Sequence, residues 1–96
     1  MTLRRRPGWA VYIEDTPASI ILDMPRDLAK AVTNYVAALA LEAGGAHDAG
    51  RDLPGEPMDH TGLRRGLRIE GEPVLVEYTV RPDIRAVQVC VLVWYS

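Results

Sequence analysis

Apolar residues change their spacing once along this chain, and that change limits what it can fold into. Between residues 25 and 43, Leu28, Val32, Tyr35, Val36, Leu39 and Ala43 recur at three- and four-residue steps, which places them on one face of a helix. From residue 63 onward the step becomes two. Leu63, Leu67 and Ile69 share one parity, then Val74, Val76, Tyr78 and Val80, then Val87, Val89, Val91 and Val93, as strands with an inward face require. A helical stretch followed by a run of strands is the pattern of an α+β domain.

Proline and glycine punctuate the elements. Residues 9–14 are β-branched and aromatic, with Trp9, Val11 and Ile13 on one parity, and read as a first strand. Thr16 before Pro17 predicts a capped short helix over residues 17–23. Pro25 disfavours helical geometry at Met24, so it ends that helix and opens the main one over residues 25–43. Gly44-Gly45 predicts a left-handed C-cap, and the stretch to Gly62 a long loop. A second strand follows over residues 63–70, then a tight turn with Gly71 first, then a third strand over residues 74–80. Pro82 sits second in a turn at Arg81-Pro82-Asp83-Ile84, and residues 85–94 form the last strand. Ala86, Cys90, Leu92 and Trp94 make its second parity apolar as well, so it belongs inside the sheet. The expected fold is β-α-α-β-β-β: one four-stranded antiparallel sheet of spatial order one-four-three-two, with two helices packed on one face.

Ninety-six residues suit a single domain over 1–96, with the basic leader 1–8 expected as a flexible arm. Hydrophobic residues make up 48% and charged residues 25%, enough apolar material for a folded core. The net charge of −2 argues against a surface made basic throughout to hold nucleic acid. Cations nevertheless gather locally, at Arg4-Arg5-Arg6 and at Arg64, Arg65 and Arg68. No apolar run approaches the roughly 20 residues that span a bilayer, and a cytoplasmic protein without membrane contact is expected. Cys90 is alone, and His47 and His60 lack zinc spacing, so neither a disulfide nor a metal or other cofactor is expected.

The element order, the Ala18 to Leu22 helix ahead of Met24-Pro25, and the Arg-rich start of the second strand resemble the RelE/ParE toxin superfamily over nearly the whole chain. Arg68-Ile69-Glu70-Gly71-Glu72 is similar to the family's Arg-Val-Gly-Asp stretch, and Val76-Glu77-Tyr78-Thr79-Val80 to its Val-Val-Tyr-x-Val strand. The resemblance implies a cytoplasmic toxin that partners an antitoxin protein. It either cuts messenger RNA on the ribosome, inhibiting translation, or poisons DNA gyrase. A homodimer is a further candidate assembly.

Metal-free RNA cleavage needs a base for the 2′-hydroxyl proton, cations for the phosphate and an acid for the leaving oxygen. The candidate catalytic and RNA-binding residues are Arg64, Arg65 and Arg68 for the phosphate and Glu77 as base. Alternation puts Arg64 and Arg68 on one face and Arg65 on the other. Two departures from the family pattern stand out. Pro73-Val74-Leu75 replaces the usual cation after the turn, and Val91-Leu92-Val93-Trp94 replaces its ionisable C-terminal cluster. The expected function is therefore a toxin component, a ribonuclease with a degenerate active site. The alternative is a non-catalytic protein-binding module on the same fold, directed at an antitoxin, a co-repressor complex or gyrase.

Overall fold

The structure, a computed structural model, describes residues 8–95 and the backbone of Thr2–Arg4. Its elements are β1 (Thr2–Arg4), β2 (Ala10–Ile13), α1 (Asp15–Asp23), α2 (Arg26–Asp48), β3 (Glu56–Pro57), β4 (Arg64–Arg68), β5 (Val74–Arg81) and β6 (Ala86–Trp94). The α+β class holds. The sheet differs from the expected four antiparallel strands: among the described residues it has six, in the order β1-β2-β6-β5-β4-β3. Short strands β1 and β3 flank it, and β1 draws part of the leader expected as an arm into pairing with β2.

The sheet is also mixed. β2 pairs with β6 in parallel, Ala10 opposite Ala86 through Ile13 opposite Val89, while β4, β5 and β6 form an antiparallel meander. Parallel neighbours need a long connection, and here α1, α2, the loop after them and the strands β3–β5 all lie between β2 and β6. The expectation of a wholly antiparallel sheet fails here because only the later connections are hairpins.

α1 starts two residues before its expected boundary. Glu14 occupies the cap position without a side-chain cap bond, so Thr16 lies inside the helix instead of capping it. The Met24-Pro25 break falls as expected, with Met24 extended at ψ 153° and Pro25 heading α2. α2 then runs through Gly44-Gly45 to Asp48, five residues past its expected end. Tertiary packing overrides local propensity there: a Cβ on Gly44 would lie 2.3 Å from Cγ of Trp9, so the glycine gives the indole ring room against the helix. The cap comes later, where Gly50 at φ +69° donates its N–H to His47 and Arg51 donates to Ala46, the paired bonds of a Schellman motif. The hairpin turn is Ile69 to Glu72, with Gly71 third at φ +82° rather than first.

One face of the sheet carries the core. Val11, Ile13, Val74, Val76, Tyr78, Val80, Val87 and Val89 are buried against Val32, Val36, Leu39, Ala40 and Ala43 of α2, and Ile21 of α1. β6 is interior, between β2 and β5. Its register slips between Glu77 opposite Val91 and Tyr78 opposite Val89, leaving Cys90 as the extra residue of a β-bulge. The bulge reverses parity. Val87 and Val89 point into the core, but beyond Cys90 it is Leu92 that is buried while Val93 is 44% exposed. The expected single parity of Val87, Val89, Val91 and Val93 is thereby corrected.

Candidate functional site on the bare sheet face

The face away from the helices is built by the outward residues of β4, β5 and β6. Arg64 lies opposite Thr79, Gly66 opposite Glu77 and Arg68 opposite Leu75, so alternation turns all six to this side. Arg64 and Glu77 meet here: the guanidinium donates to Oε1 of Glu77 from Nη2 at 2.9 Å and from Nε at 3.3 Å. The bond to the carboxylate raises the Arg64 pKa further and leaves neither group a free charge.

Arg68 is exposed, its guanidinium 5.8 Å from the centroid of the Tyr95 ring. Arg65 faces the other way, donating from Nε to the Gly62 carbonyl at 2.9 Å and from Nη1 to the Gly55 carbonyl at 3.2 Å. The three arginines of the sequence reading therefore do not converge. Tyr78, adjacent to Glu77, is fully buried on the core face, where its hydroxyl donates to the Pro54 carbonyl and burial pushes its pKa up. It cannot serve the same site as Glu77.

A hollow of about 350 Å³ lies over Gly66, walled by Met58, Arg68, Leu75 and Glu77. The missing side chain makes the hollow: a Cβ on Gly66 would come within 3.0 Å of the Met58 sulfur. Around it the surface is apolar, with Met58, Leu75, Val93 and Tyr95 each between 37% and 48% exposed, while Trp94, opposite the inward Val74, turns to the other side. Sequence alternation does not single this strip out. It missed Met58, which lay in the expected loop, and Val93, whose direction depends on the bulge.

Further along the face the polar groups are paired. Gln88 donates to Glu14 and accepts from Arg81, and Arg81 also holds Asp83 at 3.1 Å. Cys90 sits half-buried with its sulfur 3.5 Å from the Thr79 hydroxyl, and burial pushes its thiol pKa up, away from nucleophile chemistry. His60 is exposed in the turn where the Thr61 hydroxyl donates to Asp59 and holds that carboxyl below the ordinary range. Among the described residues, nothing on this face is arranged as an acid for a leaving oxygen. Nor do three or more His, Cys, Asp or Glu side chains gather among them in a way that could hold a metal ion.

What the face offers, among the described residues, is contact: an apolar strip around a hollow, the exposed guanidinium of Arg68, and the ion pairs Arg64–Glu77 and Arg81–Asp83. Among the described residues no helix is long and apolar enough to cross a membrane. No family model, no curated protein and no solved structure matches the chain.

Proposed function

We propose that this chain is the toxin component of a RelE/ParE-like toxin–antitoxin pair, working in the cytoplasm by binding protein through the bare face of its sheet rather than by cutting RNA. The element order and the helices gathered against one sheet face support the family reading. The fate of the three arginines carries the mode of action: Arg64 is held by Glu77, Arg65 turns to the opposite side, and Arg68 alone is left among Leu75, Val93 and Tyr95. The antitoxin and a poisoned enzyme such as DNA gyrase are the partners this reading names. A degenerate ribonuclease is the second reading, favoured by one observation, that Arg68 and Glu77 wall the same hollow.

Induced expression in a bacterial host separates them. Binding predicts slowed growth with ribosome-bound messenger intact, and relief by Leu75→Asp with Val93→Asp but not by Arg64→Gln. Messenger cleavage that disappears when Arg64, Arg65 and Arg68 are neutralised would establish the ribonuclease instead. Normal growth on induction defeats the toxin reading altogether.

A further inference from the structure

Arg65, the arginine that leaves the bare face, comes to a second cavity on the helix side of the sheet. This cavity, of about 360 Å³, is lined by His47 at the end of α2, Arg51 and Asp52 just after its cap, Leu53, Leu63 and Arg65 of β4. Two chain segments, 47–53 and 61–65, thus bring two guanidiniums and an imidazole to one place. Neither guanidinium has a carboxylate within ion-pair distance among the described residues, although the chain holds 13 acidic residues to 11 Lys and Arg. Arg65 is held in orientation by its bonds to the Gly62 and Gly55 carbonyls, and its Nη2 keeps no hydrogen bond of its own among those residues. Arg51 makes no side-chain hydrogen bond among them. Nδ1 of His47 is shielded and also without a hydrogen-bond partner among those residues.

The geometry points to a phosphate-binding site formed by His47, Arg51 and Arg65, separate from the bare face and independent of the reading proposed for it. A guanidinium fixed in orientation with its Nη2 uncommitted, beside a second guanidinium free to make planar contacts, matches what phosphate oxygens accept. Asp52 and the carbonyl end of α2 oppose an anion. The cap bonds already occupy the Ala46 and His47 carbonyls, however, and two guanidiniums outweigh one carboxylate. Leu53 and Leu63 add apolar wall, so the cavity takes a phosphate carried on a larger body as well as the free ion.

The test is an amide NMR titration of the full chain with inorganic phosphate at constant ionic strength. Saturable shifts centred on Arg51, Gly62 and Arg65 are expected, and Arg51→Gln should weaken them about tenfold, the cost of one charge-assisted contact. Arg65→Lys, which keeps the charge and loses the fork, should weaken them too, while the exposed control Lys30→Gln should change nothing. Competition by a nucleoside monophosphate identifies a small-molecule source, and stronger competition by a short oligoribonucleotide identifies a strand backbone. Shifts that grow without saturating, or that survive Arg51→Gln unchanged, overturn the site.

Discussion

The two faces of this sheet obey different rules. On the helix-covered face, Val11, Val80, Val87 and Val89 are fully buried, and every inward side chain of β5 is at most 1% exposed. On the bare face, charges are paired across neighbouring strands and the apolar residues stand partly in water. The covered face therefore holds the fold together, and the bare face is the one that can be altered without unfolding the chain. That contrast can be broken or sharpened by substitution.

The largest effect should come from the middle of the covered layer. Leu39 is 3% exposed in the core, and Leu39→Ala should cost about 2 to 5 kcal/mol in a urea titration. A loss of a few tenths would show that the helix stripe is not what fixes the sheet. Next come the adjacent glycines of α2, which should respond with opposite sign. Gly44→Ala drives a methyl into the Trp9 indole and should cost about 1 to 3 kcal/mol. Gly45 has no neighbour within 4 Å of its would-be Cβ, so Gly45→Ala should gain up to about 1 kcal/mol.

Tyr78→Phe keeps the ring and leaves the Pro54 carbonyl without its donor, for a loss of about 0.5 to 1.5 kcal/mol. On the bare face, Arg64→Gln removes a pair whose side chains are 35% and 30% exposed, and its unfolding midpoint should move by less than the equivalent of about 1 kcal/mol. A larger shift would mean that the bare face is structural after all.

The smallest effect is a pH slope. The Trp9 indole, and then Arg85, hold the Asp48 carboxyl below its ordinary value. A carboxyl depressed in the folded state stabilises above its unfolded pKa, and that contribution is lost as pH falls through the folded value. Unfolding midpoints followed from about pH 6 down to about pH 3 should therefore decline with acid. Asp48→Asn should make the decline shallower without abolishing it, because Asp59 and Asp83 are depressed too and act with the same sign.

How far the sequence could be read follows the same division. Periodicity located the main helix, all three later strands and the inward valines of β5, because burial on one face writes itself directly into alternation, while Pro17 and Pro25 marked the short first helix. Three features escaped it for physical reasons. The bulge at Cys90 is a property of pairing, and nothing local to Cys90 announces that Val91 and Val93 turn outward. The passage of α2 through Gly44-Gly45 depends on Trp9, more than thirty residues earlier in the chain. Strand direction in the β2 and β6 pair is set by the crossover between them, whereas the readable turn signals all belonged to hairpins. Of the candidate site, alternation correctly separated Arg65 from Arg64 and Arg68. The neutralisation of Arg64 by Glu77 needed the register, and the hollow over Gly66 needed β3.

The interior position of β6 has a consequence for how the molecule is made. β6 is synthesised after every other described element, yet among the described residues it is the strand that lies between β2 and β5 and joins the two parts of the sheet. Until it emerges, β2 and β5 have no strand between them, and the inward valines of β5 lack half their sheet. Sheet closure therefore depends on long-range pairing by β6, the kind of contact that topology makes slow and that leaves the edges of β2 and β5 open until it forms.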